Sequence, residues 1–387
     1  MRKLASELRH KAFGEVRNDV DLIASSSSVN KAYLSGYVSM AHDTAPLYRS
    51  AVLATRNGAS LVTSAADAGP ASELLSGTGE IYRYGEFYFE ALDDSAPPLF
   101  DRPSHRSFED AFKDALLALR PSLGRVGVDR SNDDVLWDLC RTVLGQSVIV
   151  DATAALRAAR ETKLPAEVAR IRKAAQLVEN GYRRIVEAAC HGMNEIELSA
   201  LVTECMAAGG AIPRFVSVTS GPRSALADAY PTRRVIGRGD TVRIDAGCTV
   251  DGYWSDIGRT FVFGEPDARQ RTTYDALKFG LEAALAETRA GVEARRLFQT
   301  AMATVRGHGI PAYRRQHCGH GIGLNAYDPP TINAIDGTVL RPGMCLCLET
   351  PYYVLGLDGM MVEDTVLVTE SGYEPITTLS RELLIVS

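Results

Sequence analysis

At 387 residues the chain is longer than one ordinary domain, and two is the natural expectation. With 45% apolar and 23% charged residues it has the composition of a globular protein with a sizeable core, which excludes a disordered or fibrous chain. A net charge of −6 without basic clusters argues against nucleic-acid binding, because neutralising phosphates needs grouped Lys and Arg.

Seven cysteines, an odd count with no Cys-x-x-Cys pair, read as reduced thiols and a cytoplasmic address. The first 21 residues carry scattered charge and no apolar leader segment. No run approaches the ~18 uninterrupted apolar residues of a membrane span.

In chain order, residues 2–14 predict a helix, and Ala32–Val38 and Ser50–Thr55 read as strands. Asn57-Gly58 signals a turn into a further strand at Ala59–Thr63. An amphipathic helix is expected over 107–119, closed by Arg120-Pro121, followed by strands at Val126–Val128 and Ser147–Asp151. This alternation predicts an α/β module. Residues 151–185 are helical except at Lys163-Leu164-Pro165, where proline opens a new helix. The boundary therefore falls near 158–164, giving domains 1–160 and 161–387. His191, beside Gly192, reads as a helix C-terminal cap.

The second domain contains a weak repeat. Thr241-Val-Arg-Ile-Asp245, a loop, then Trp254-Ser-Asp256-Ile-Gly-Arg-Thr-Phe-Val-Phe263 runs strand, acid, turn, acid, strand. Cys345-Leu-Cys-Leu-Glu349, a loop, then Met361-Val-Glu363-Asp-Thr-Val-Leu-Val368 repeats that order. Asp251-Gly252 and Asp358-Gly359 read as the turns. Within a strand, Asp245 shares a face with Arg243, opposite Val242 and Ile244. One acid ending a strand is ordinarily a turn or cap residue. Four on two hairpins are different, since converging buried carboxylates repel unless protonated or neutralised by cations. Carboxylates with one imidazole suit Mn²⁺, Fe²⁺, Co²⁺ or Zn²⁺. The imidazole is supplied by His317-Cys-Gly-His320-Gly-Ile-Gly-Leu324, whose glycines permit close backbone approach. Cys347 shares Glu349's face, and its plain reading is a small buried hydrophobe.

These phrases, GHGIGL, RIDAG…GYWSDIGRTF and LETP…VEDT, together resemble the pita-bread metallopeptidase family of aminopeptidase P, prolidase, methionine aminopeptidase and creatinase. Spacings of 11, 64, 29 and 14 between residues 245, 256, 320, 349 and 363 fit the prolidase branch. The resemblance is strong over 160–387 and looser before that. It implies an α/β chain of two domains, the C-terminal one a pseudo-symmetric fold with a curved antiparallel sheet covered by helices. It also implies two divalent ions held by Asp245, Asp256, His320, Glu349 and Glu363, with Asp256 and Glu363 bridging. Glu349 would double as the base that takes a proton from the attacking water. Arg259, Asp364 and Thr365 would orient these ligands, although Arg259 equally reads as a surface or sheet-face salt bridge. Relatives with such an N-terminal domain form dimers.

The chain departs from its relatives where they bind substrate. Asp228 and Tyr327 stand where peptidases of this family carry histidines, and Gln316 stands four before His320, with His317 one step out of register. Met361 replaces an arginine that reads substrate carboxylate. Losing an oxyanion donor costs ~3 kcal/mol, so an ordinary Xaa-Pro peptidase is not expected. Asp228, His317, Tyr327 and Met361 become the candidate substrate contacts, with Asp228 facing a basic or neutral group of a small-molecule or dipeptide-like substrate. The leading expectation is a dinuclear hydrolase of an amide-like C–N bond. The alternatives are a metal-dependent lyase with Tyr327 or Asp228 as base, and a non-catalytic binding protein.

Overall fold

The computed structural model describes residues 2–45, 47–75, 79–90, 102–119, 124–190 and 192–386. Arg120-Pro121 and His191, read above as a helix stop and a helix cap, lie outside them. Two compact units divide the chain, Met1–Arg160 and Glu161–Ser387. Among the described residues no helix is long and apolar enough to cross a membrane.

The first unit runs α1 (Arg2–Glu15), β1 (Val20–Ser25), α2 (Ser28–Ser35), α3 (Ala41–Thr44), β2 (Ala51–Ala54), β3 (Ala59–Ser64), α4 (Ala68–Leu75), β4 (Ile81–Tyr84), α5 (Phe108–Leu119), β5 (Arg125–Val128), α6 (Val135–Leu144), β6 (Ile149–Asp151) and α7 (Thr153–Glu161). Its six strands lie in the order β4-β3-β2-β1-β5-β6. Phe108, Phe112 and Leu116 of α5 pack on Leu22, Leu53 and Val126 to form its core. The Asn57-Gly58 turn joins β2 to β3, with Ala54 opposite Ala59. Two readings are corrected. Ala32–Val38 is not a strand: Ser27 caps α2 by accepting from Asn30 N, and Gly36, at φ 77°, ends it in the left-handed region. Because α2 buries Asn30 through Ser35 without a gap, no helical stripe of polar residues marks it in the sequence. At Ser147–Asp151 only Ile149–Asp151 is extended.

The second unit begins with α8 (Pro165–Ala188), which proline opens, and α9 (Glu195–Ala208), capped reciprocally by Asn194 and Glu197. Next come β7 (Ile212–Ser220), β8 (Thr241–Val250), β9 (Tyr253–Trp254), β10 (Ile257–Phe263), α10 (Ala268–Glu287) and α11 (Ala294–Gly307). The remainder is β11 (Gly319–Gly321), β12 (Asp328–Thr331), β13 (Cys345–Glu349), β14 (Tyr352–Val354), β15 (Asp358–Met360), β16 (Glu363–Val368), β17 (Tyr373–Pro375) and β18 (Leu384–Val386). One sheet is ordered β18-β10-β8-β7, with β9 paired to β8, a second is ordered β12-β11-β13-β16-β17, and β14 and β15 form a separate pair. Thr260 joins the two larger sheets, its hydroxyl donating to Met361 O at 2.9 Å and accepting from Met361 N at 2.8 Å. Alternation along β13 and β16 sends Leu346, Leu348, Val366 and Val368 under Leu277, Leu281 and Leu297 of α10 and α11. That leaves Cys347, Glu349 and Glu363 on the other face. Asp251 (φ 51°) and Gly252 (φ 84°) make the β8–β9 turn as expected. Asp358-Gly359 does not turn; it opens β15, and the reversal lies between Val354 and Asp358.

Candidate metal centre

Strand register brings the acids together. Asp245 lies opposite Gly258 across β8 and β10, Glu349 opposite Glu363 across β13 and β16, and His320 opposite Cys347 across β11 and β13. Asp256 sits in the link between β9 and β10, and Trp254 N donates to Gly323 O at 2.8 Å, drawing the glycine-rich segment onto that link. Its glycines are needed there. A Cβ on Gly319 would stand 2.1 Å from Cys347 O, and one on Gly321 would stand 2.2 Å from Pro329 O.

Ligand atoms of Asp256, His320 and Glu363, all buried, lie within 4.8 Å of one another. His320 Nδ1 meets Gly321 O at 2.9 Å. A carbonyl only accepts, so Nδ1 carries a proton, and Nε2, 3.6 Å from Asp256 Oδ2, is the ring nitrogen that faces the acids. Asp245 Oδ1 and Glu363 Oε2 are buried without a hydrogen-bond partner. Burial, then the charges of Asp256 and its fellow acids, push the Asp245 and Glu363 carboxyls well above the usual range. Glu349 is raised for the same first reason, against the pull of Arg315. Burial lowers His320, but the hydrogen bond and charge of Asp256 outweigh it and leave the ring raised. Buried carboxylate oxygens that receive no donor are costly unless a cation neutralises them. The donor set, carboxylates with one imidazole, suits a hard divalent ion.

The surrounding residues divide by what they touch. Arg259 is fully buried, which removes the surface reading. It donates to Glu363 O and, at 2.7 Å, to Asp364 Oδ1. Asp364 faces away from the acids toward Arg259, Arg381 and Thr377. Thr365 donates to Asp256 O at 3.0 Å, and Cys347 lies beside that hydroxyl at 3.2 Å, its thiol pushed far up by burial. His317 Nδ1 is 3.2 Å from Glu349 Oε1; burial, then Arg315, lower its pKa to about 4. Tyr327 stacks on His320 with centroids 3.8 Å apart, and burial, then the acids, raise its phenol. Asp228 and Tyr327 line a cavity of about 360 Å³ that reaches Asp245 and Asp256. Met361, by contrast, is buried against Gly258 and Arg243 and is not part of that lining.

Two arginines escaped the sequence reading. Arg243 is fully buried, 3.6 Å from Asp245 Oδ2, and donates to Ser224 O at 3.1 Å, Leu226 O at 2.8 Å and Ala227 O. Its position two before Asp245 was the available signal. Arg315 donates to Glu349 Oε1 at 3.3 Å, and no spacing announced it. Both guanidiniums lie over the Tyr353 ring, at 5.5 and 5.8 Å.

The profile of metallopeptidase family M24 matches residues 169–370. An Xaa-Pro dipeptidase from Pyrococcus furiosus is 35% identical over 227 residues, 58% of this chain and 65% of that protein. A probable dipeptidase PepE from Mycobacterium tuberculosis is 34% identical over 61% of this chain and 63% of its own length. The chain thus spans slightly less than two thirds of these relatives. Among solved structures, the prolidase of Pyrococcus horikoshii matches with TM-score 0.78 at 26% identity over 98% of this chain and 100% of its own. The X-Pro aminopeptidase of Thermotoga maritima matches in fold, with TM-score 0.82 at 24% identity over 98% and 99%. The match over more than half of the sequence makes the chain a member of metallopeptidase family M24, with the family's pita-bread fold.

Proposed function

We propose that the second unit is a divalent-metal hydrolase cleaving an amide-like C–N bond of a small substrate, on the plan of Xaa-Pro peptidases but with a different substrate. The observation that carries this is the meeting of Asp256, His320 and Glu363 within 4.8 Å, with the unsatisfied oxygens of Asp245 and Glu363 beside them. Asp245, Asp256, His320, Glu349 and Glu363 would hold two ions. When bound, such ions supply Lewis-acid polarisation of a carbonyl and a water of lowered pKa.

The chain's own groups do the rest. Arg315 and His317 lie against Glu349 Oε1, which leaves Oε2 to take a proton from the attacking water and return it to the departing nitrogen. Arg259 and Thr365 fix the backbone carbonyls of Glu363 and Asp256, so the ligands need no reorganisation. Tyr327, stacked on His320, is placed to serve as a hydrogen-bond donor in place of a histidine; the relatives' names favour hydrolysis over elimination. Asp228 repels a substrate carboxylate and receives a basic group, the ground for separating this chain from ordinary prolidases. The relatives' names support the reaction class, the resemblance supports a homodimer, cysteine usage supports a cytoplasmic address, and the carboxylate–imidazole donor set admits manganese among the candidate ions.

The test is elemental analysis of purified protein, then turnover of Xaa-Pro dipeptides and small basic amides in ¹⁸O-water. Metal-dependent cleavage with label in the product is expected. Unlabelled product, or turnover indifferent to chelators, would sink the reading. Xaa-Pro cleavage at prolidase-like rates would remove the claim of a different substrate.

A further inference from the structure

The cavity beside the acids has distinctive walls. Aromatic residues are only 7% of the chain, yet Phe215, Tyr230, Trp254 and Tyr327 line this one space together with Asp228 and Arg214. The rings come from separate segments: β7, the turn after Asp228, β9, and the loop between β11 and β12. Trp254 already faces one cation, since Arg214 lies 5.6 Å from its ring centroid. Asp228 is exposed, but its turn is held firmly. Arg243 fastens the carbonyls of Leu226 and Ala227, and Ser217 donates to Ala229 O at 3.0 Å. The backbone that carries Asp228 is thus held in place, beside a wall lined by aromatic rings.

Ring faces carry negative quadrupole potential and attract cations, most strongly those too weakly hydrated to prefer water. A neutral apolar group would gain the same burial but nothing from Asp228. We propose that this cavity binds the substrate's charged group as a compact organic cation, quaternary ammonium, guanidinium or amidinium, between the aromatic faces and Asp228. The proposal rests on the hydrolase reading for the bond that reacts, and it names the class of molecule that carries that bond.

The chain has two tryptophans, so a Trp137→Phe variant leaves Trp254 as the sole reporter, and its emission follows binding without turnover. The zinc-loaded variant, zinc being redox-silent, is titrated with choline and with its neutral isostere 3,3-dimethylbutan-1-ol. Choline is expected to bind saturably and at least about tenfold tighter than the isostere. Adding Asp228→Asn is expected to weaken choline by about three- to fivefold and leave the isostere unchanged, and Tyr230→Ala to weaken choline again, with melting curves checking the fold. Equal affinity for both probes, or no response to either, overturns the proposal. Because no bond breaks in this assay, its outcome is separate from that of the hydrolase reading, which solvent-oxygen labelling decides.

Discussion

Glu363 and Arg243 illustrate how single side chains divide the work of the centre. Glu363 Oε2 is buried without a donor, so its value lies in the cation it would hold. Glu363→Gln removes the charge and keeps the shape. It is expected to weaken divalent-ion binding by at least about tenfold, measured by metal analysis after dialysis, while the metal-free protein melts no lower. Arg243 acts in the opposite sense. Its guanidinium stands against Asp245 and three carbonyls, so Arg243→Met would leave a partly buried carboxylate and several acceptors unmatched. A loss of about 3–5 kcal/mol in denaturant unfolding is expected; a loss below 1 kcal/mol would show that the strut is dispensable. Asp256, His320 and Glu363, which meet within 4.8 Å, were legible as candidates because four acids on two hairpins, unlike one, are not explained as turn or cap residues. Arg315 was not legible, because an arginine five residues before a histidine carries no periodic signal.

At the scale of elements, β11 shows why glycine surrounds His320. The strand is wedged between β12 and β13, and a Cβ at Gly321 would collide with the backbone of Pro329. Backbone cannot step aside as a flexible side chain can. Gly321→Ala is therefore expected to separate β11 from β12, displace His320 and lower metal affinity, read by titration calorimetry; unchanged affinity would mean that the sheet absorbs the methyl. The two acid-bearing hairpins were readable from their alternation, because β13 and β16 bury one face under α10 and α11 and leave the other to the acids. The segment at Ala32–Val38 misled for the converse reason. When every side of a short helix is buried, its hydrophobic pattern loses the period that separates helix from strand.

At the scale of the whole molecule, the two units answer to different conditions. In the first unit, burial lowers Lys31 to about 8 and His42 to about 4; Lys31 Nζ contacts His42 Nε2 at 2.6 Å and Ser50 Oγ at 2.8 Å. A lysine whose folded pKa is depressed destabilises the fold while charged. Stability then rises with pH between about 8 and the ordinary lysine value, where the unfolded chain still holds the proton that the folded chain has lost. Lys31→Met is accordingly expected to stabilise by about 2–3 kcal/mol at neutral pH, with the gain fading toward pH ~10.5. His42 adds a loss as pH falls from its ordinary value toward about 4. Thermal melts across pH check both signs. In the second unit, divalent ions are expected to slow amide exchange in β8, β10, β11, β13 and β16, and chelation to reverse it. Alternation and turn residues, local properties of a chain, were enough for the sequence to determine α/β units, and the resemblance of short phrases, also local, supplied the family and the candidate ligands. Which side chains share a space is a property of packing across hundreds of residues. Only the tertiary structure could put Arg243 against the turn that carries Asp228, withdraw Met361 from the cavity, and gather four aromatic rings around one open pocket.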